Sequence, residues 1–144
     1  MTPEEERQLA VDLFNEVWRL MESRDNDERM LHAAHASRYH WGEIGEAKNI
    51  ARGEWQCSRV YTVLGRGEPA LHHALRCLAI CEQGEVEDWD LPYAYEAIAR
   101  AYLVAGEPEK AESYVELARD AGEKIEDPHD RELLLKDIGT LEVQ

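Results

Sequence analysis

Apolar residues recur along this chain at helical spacing. Over residues 4–23, Leu9, Leu13, Val17 and Leu20 form one stripe, which Phe14, Trp18 and Met21 widen. That spacing puts side chains on one face of a helix, whereas a half-buried strand alternates every second residue. Thr2-Pro3 followed by Glu4, Glu5 and Glu6 supplies an N-cap, a first-turn proline and acids at the positive helix end. Arg24-Asp25-Asn26-Asp27 breaks this helix. Asp27 is the expected cap of a second helix running to about His40, with His40-Trp41 ending and anchoring it and Gly42 and Gly45 marking the turn.

A third helix, about 46–64, carries Ala47, Ile50, Ala51, Cys57, Ser58, Tyr61 and Leu64 on one face. Gly65-Arg66-Gly67-Glu68-Pro69 is a tight connection, with glycine ending one helix and proline near the start of the next, about 68–83. Gly84 and an acidic stretch from Glu85 to Asp90 follow, and Asp90 with Pro92 opens a fifth helix, about 91–105. Gly106-Glu107-Pro108 repeats the earlier turn before a sixth helix that reaches about Ile125. Asp127-Pro128 opens a short seventh helix to about Gly139, with Leu133, Leu134, Leu135 and Ile138 as its apolar residues. No segment sustains strand alternation, so the expectation is an all-α fold.

The chain also repeats itself. A shift of 41 residues superposes Arg59 on Arg100, Tyr61 on Tyr102, Val63 on Val104, Gly65 on Gly106 and Ala70 on Ala111. Small residues at 58, 70, 99 and 111 let paired helices approach closely, and Tyr61 and Tyr102 fill the space between pairs. Leu64-Gly65-Arg66-Gly67-Glu68-Pro69-Ala70-Leu71 resembles the turn and second-helix start of the tetratricopeptide repeat. Tyr95, Ile98, Ala99, Tyr102, Gly106 and Ala111 resemble its longer pattern. The resemblance is good over about 54–122 and architectural over 4–40, because the shift sets Arg24 opposite Gly65 and the 41-residue spacing exceeds the family's usual period. It implies an α–α superhelix, a right-handed solenoid of three antiparallel helix pairs (about 4–40, 46–83 and 91–125). A C-terminal capping helix at about 128–139 completes a single domain over 1–144.

Charge and composition narrow the function. Net charge is −15, from 31 acids and 16 bases, a field that repels nucleic acid and anionic membranes. No apolar run approaches the length needed to cross a bilayer, and no signal-peptide core follows Met1. Cys57, Cys77 and Cys81 are odd in number and lie inside helical patterns, which fits reduced, buried thiols and a cytoplasmic setting. The bases are 12 Arg and 4 Lys, and the planar guanidinium suits specific pairing with carboxylates.

In the tetratricopeptide family the first helix of each pair lines a concave groove. The resemblance places Arg52, Trp55, Arg59 and Thr62 there, with Tyr93, Glu96, Arg100 and Leu103 as their equivalents. Val11, Phe14, Trp18 and Met21 correspond to them in the first helix. Arginines pairing carboxylates and aromatics packing side chains would hold an acidic or C-terminal peptide. The competing reading is that these arginines balance Glu54, Glu96 and other neighbours. Phe14, Trp18 and Met21 offer either a surface for a homodimer or partner, or packing against the third helix.

The histidines offer a second chemistry. Glu28, His32, His35 and Tyr39 form one helical stripe, and an i, i+3 His pair with a carboxylate one turn back can chelate a divalent ion. His72 and His73 fall on the helix expected to run nearby, so a shared metal or acid–base site is geometrically open. Against it, no H-E-x-x-H motif occurs, nor a Glu-x-x-His on two helices. Nucleotide-cradling loops and nucleophile elbows are also absent. The sequence therefore leads to a non-enzymatic, cofactor-free scaffold for a protein or peptide partner, with a His32/His35 metal site or enzyme as the alternative.

Overall fold

The computed structural model describes residues 1–142. Seven α-helices follow one another: α1 (Pro3–Ser23), α2 (Asp27–Ile44), α3 (Ala47–Val63), α4 (Gly67–Cys81), α5 (Asp90–Val104), α6 (Pro108–Gly122) and α7 (Pro128–Glu142). No strand occurs among the described residues. Each helix packs on the next, most extensively within α1–α2, α3–α4 and α5–α6. The odd-numbered helices also approach one another along their backbones, α1 with α3, α3 with α5 and α5 with α7, whereas α2, α4 and α6 meet only through side chains such as His35 and His73. The odd helices thus form an inner layer and the even helices an outer one.

Small residues make the close approaches. Ala33, Ala34, Ala51, Ala70, Ala74, Ala94, Ala97, Ala99, Ala111 and Ala118 are all buried, so much of the inter-helix surface is alanine. Hydroxyls in the seams satisfy carbonyls across them. Ser37 Oγ donates to the Ala10 carbonyl at 2.8 Å and Ser58 Oγ to the Ala70 carbonyl at 2.8 Å. Larger apolar residues fill three places: Val17, Leu20, Met30 and Val60 between α1, α2 and α3, Ile98 between α4 and α5, and Ile125, Leu134 and Ile138 under α7. The turns depend on glycine. Gly65 and Gly106 sit at φ +76° and +80°, in the left-handed region that a Cβ disfavours.

Thr2 caps α1 as expected, and does so through a reciprocal pair: its hydroxyl accepts from Glu5 N and its own N–H donates to the Glu5 carboxylate. Several boundaries differ from the sequence reading. Asn26, not Asp27, caps α2, its Oδ1 accepting from Arg29 N at 3.0 Å. Asp27 instead takes both arms of Arg24. Helix α2 does not end at His40 but runs through Gly42 to Ile44, so of the two glycines only Gly45 stands at the turn. His40 and Trp41 do anchor it: His40 Nδ1 lies 2.8 Å from Glu6, and Arg7 stacks over the buried Trp41 ring. Helices α4 and α6 end earlier than expected, at Cys81 and Gly122, and α7 continues past Gly139 to Glu142.

Candidate functional site

A cavity of about 560 Å³ opens on the inner layer. Phe14 and Trp18 of α1 form one wall, Arg52, Trp55 and Arg59 of α3 the floor, Trp89 and Tyr93 at the start of α5 a second wall, and Asp130, Leu133 and Asp137 of α7 the far side. Its aromatic rings form a continuous arc. Phe14 and Trp18 centroids are 5.5 Å apart, Trp18 and Trp55 5.4 Å, Trp55 and Tyr93 5.8 Å, and Tyr93 and Trp89 6.4 Å, edge-on or tilted throughout. Two contacts hold the arc in place: Gln56 Nε2 donates to the Phe14 carbonyl at 2.9 Å, and Tyr93 Oη donates to Asp137 Oδ2 at 2.7 Å. Burial and that carboxylate push the Tyr93 phenol well above its ordinary value.

The groove arginines differ in what they hold. Arg52 grips buried Asp90 with both arms at 3.0 Å, and its guanidinium lies 4.1 Å from the Trp89 ring centre. Arg100 donates to Glu96 at 2.9 Å and to Thr140 Oγ1 at 2.8 Å, which fastens α5 to α7. Arg59 is the exception. It forms an ion pair with Glu96 at 3.6 Å, but its guanidinium makes no hydrogen bond among the described residues. Its side chain is only 23% exposed. Burial lowers the Arg59 pKa, with Glu96 opposing that effect. Two buried polar atoms nearby also lack hydrogen-bond partners among the described residues, Trp55 Nε1 and Glu96 Oε2.

Of the residues assigned to a groove from sequence, Arg52, Trp55, Arg59 and Tyr93 come together around the cavity, joined by Phe14 and Trp18 of the first helix. Arg59 also borders a second hollow of about 450 Å³ with Thr62, Arg100 and Leu103. Glu96 lies beneath the surface, fully buried under Arg59 and Arg100, and lines neither hollow. In line with the charge-balance reading, Arg59 and Arg100 both pair with Glu96, Arg59 at the longer distance of 3.6 Å, while the acid under Arg52 is Asp90. Glu54 is engaged elsewhere, by Arg38 at 2.6 Å, His73 at 2.7 Å and Arg76 at 3.3 Å. Met21 packs on the core between α1, α2 and α3, so the aromatic face of α1 covers α3.

The histidine stripe divides. Glu28 and His32 are exposed, 3.8 Å apart. His35 turns inward, Nε2 2.9 Å from Tyr61 Oη and Nδ1 3.9 Å from Cys57 Sγ. His73 stacks on the other side of this group, its ring parallel to Tyr61 at 5.6 Å and 5.3 Å from His35. Among the described residues, no three His, Cys, Asp or Glu side chains converge as metal ligands would. Burial raises the Cys57 thiol to about 12, so it stays protonated.

Sequence reading missed Trp89, Asp130, Leu133 and Asp137. Glu85, Glu87 and Asp88 before α5 are exposed, yet Trp89 and Asp90 fold inward. A helical wheel of α7 would have shown Asp130, Leu133 and Asp137 on one side. No helix among the described residues is long and apolar enough to cross a membrane. Comparison with known family models, curated proteins and solved structures finds no match.

Proposed function

We propose that this chain is a protein- or peptide-binding scaffold of tetratricopeptide-like type, a right-handed solenoid whose concave face receives a carboxylate-bearing segment of a partner. Two layers of helices with one inner, aromatic-lined hollow support the architectural half of that reading. The observation that carries the functional half is Arg59, a largely buried guanidinium in the hollow with no hydrogen bond among the described residues. A guanidinium presents a planar fork that matches a carboxylate, and such a bidentate, charge-assisted pair is among the stronger hydrogen-bonded contacts. Metal or acid–base chemistry at His32 and His35 has less support, because His35 is engaged by Tyr61 while Glu28 and His32 face solvent. With a cation supplied by the protein and no converging ligand set, binding rather than catalysis is the economical reading.

The test is selection from a random peptide library displayed on phage, with wild type and Arg59→Gln as parallel baits. Arg59→Gln leaves Glu96 held by Arg100, so the fold should persist, as a circular dichroism spectrum would verify. Wild type should enrich carboxylate-bearing sequences that Arg59→Gln loses by about tenfold in affinity. Equal enrichment by both baits, or none by either, would refute the reading.

A further inference from the structure

Two features of the hollow suit a free small molecule. The first is that its walls are already braced: Arg52 is fixed by Asp90 and lies over Trp89, Gln56 holds the Phe14 carbonyl, and Tyr93 donates to Asp137. The rings steadied in this way run from Phe14 through Trp18, Trp55 and Tyr93 to Trp89, each within 6.4 Å of the next. With few side chains left to order, a rigid ligand enters at little entropic loss. Edge-on and tilted walls also offer an inserted ring both faces and edges. The second feature is size. A volume of about 560 Å³ lies within the range of small-molecule sites, roughly 300–1,000 Å³, and the lining is mostly apolar with a few placed charges.

Charge selects among small molecules. A cation is disfavoured, since Arg52 already lies 4.1 Å from the Trp89 ring centre and Arg59 lies 5.9 Å from that of Trp55. A dianion would face Asp130 and Asp137 on the α7 wall, on a chain of net charge −15. A neutral ring would fill the arc yet leave the Arg59 donors without an acceptor. One negative charge beside a flat ring meets all three limits, and the closeness of Arg59 to Trp55 sets the two a short linker apart. We propose that the hollow is a binding site for a small planar aromatic monocarboxylate, its ring packed within the arc from Phe14 to Trp89 and its carboxylate on the Arg59 guanidinium. This ligand is a free molecule that needs no partner chain, so the site goes beyond the scaffold reading and shares Arg59 with it. A peptide selection that returns nothing leaves the site standing, and failure of the site leaves the scaffold reading to its own test. Where both hold, the small acid and the partner segment compete.

Isothermal titration calorimetry on the full chain tests this with four probes. They are 2-naphthylacetate, its amide (same ring, no charge), octanoate (same charge, no ring) and 2-naphthyl phosphate (same ring, two charges). For a ligand of about fourteen non-hydrogen atoms, 2-naphthylacetate should bind with a Kd of about 1 mM or tighter. Each of the other three should bind about tenfold more weakly. Arg59→Gln should erase the preference for acid over amide, and Arg59→Lys, which keeps charge without the fork, should restore part of it. Phe14→Leu, which removes one ring from the arc but keeps an apolar side chain, should weaken 2-naphthylacetate about threefold and leave octanoate unchanged, a selectivity that general loosening of the fold would not produce. Equal binding of acid and amide by wild type, or of acid and octanoate, overturns the proposal. So does a tighter grip on the phosphate, no binding of the acid at millimolar concentration, or acid binding that Arg59→Gln leaves intact.

Discussion

Glu54→Gln probes the ionic junction between α2, α3 and α4. The Glu54 side chain is 3% exposed, and it accepts from Arg38 Nε at 2.6 Å and His73 Nδ1 at 2.7 Å, with Arg76 at 3.3 Å. Burial alone would raise its pKa, but hydrogen bonds from His73 and Arg38 outweigh that effect and hold the carboxyl at about 2 rather than 4.5. A difference of that size favours the charged form by roughly 3 kcal/mol. Removing one partner of a buried ion pair costs about 3–5 kcal/mol, and glutamine keeps the volume and one acceptor. The expected loss is therefore roughly 3 kcal/mol at pH 7, or about 10 °C in melting temperature for a domain of this size. The sign with pH follows from the direction of the shift. Because the folded value lies below the unfolded one, the contribution is complete above pH 4.5 and disappears as pH falls through about 2. Near pH 3 about half remains. Urea unfolding followed by far-ultraviolet circular dichroism at pH 7 and pH 3 measures both points. A gap under about 1 kcal/mol at pH 7, or one undiminished at pH 3, would show that the junction does not stabilise the fold in this way.

Two further tests address other links in the argument. Burial and the neighbouring His73 depress the His35 pKa below 6.5. Its contribution is thus present above pH 6.5 and declines as pH falls. The urea midpoint should drop between pH 7 and pH 5.5 and do so less in His35→Gln, while identical slopes would contradict the assignment. Gly67→Ala should destabilise by about 1–3 kcal/mol, because the new Cβ would lie 2.8 Å from the Ala105 backbone. Gly139→Ala, with nothing within 4 Å, should instead gain up to about 1 kcal/mol from helix propensity, and chemical denaturation separates the two signs.

The helices were legible because apolar spacing and turn chemistry agree. Gly65 and Gly106 stand at left-handed φ where the repeat places them, and Ala70 and Ala111 are buried in matching seams. What failed has a physical reason in each case. Gly42 reads as a turn, but it lies inside α2 under the Arg38 guanidinium, where an added Cβ would meet Nη1 at 2.8 Å. Asp90 reads only as the opening of α5, yet it is buried because Arg52, 38 residues earlier, reaches it. No local pattern encodes that distance. Of the groove, α1 and α3 could be read from periodicity and the 41-residue shift. The shift failed at Glu96, set equivalent to groove-facing Trp55 but covered by the two arginines above it. Only the packing of α7 on α5 brings Asp137 to Tyr93.

The arginines differ, residue by residue, in how closely each holds an acid. Arg38, Arg52 and Arg100 each hold an acid within 3.0 Å that is itself nearly inaccessible, and each such pair joins helices or braces a junction between them. With 31 acids available against 16 bases, an arginine without a hydrogen-bonded carboxylate is not short of candidates nearby. Arg59 is held apart by geometry: Glu96 lies below it, turned to Arg100, and the indole of Trp55 stands beside it. The Arg59 guanidinium faces the hollow with its donors uncommitted to any hydrogen bond among the described residues, Glu96 at 3.6 Å balancing its charge from below. On the proposed reading, a carboxylate arriving in the hollow would supply an acceptor for those donors. The same feature that makes Arg59 poor as a structural residue makes it well suited to recognition.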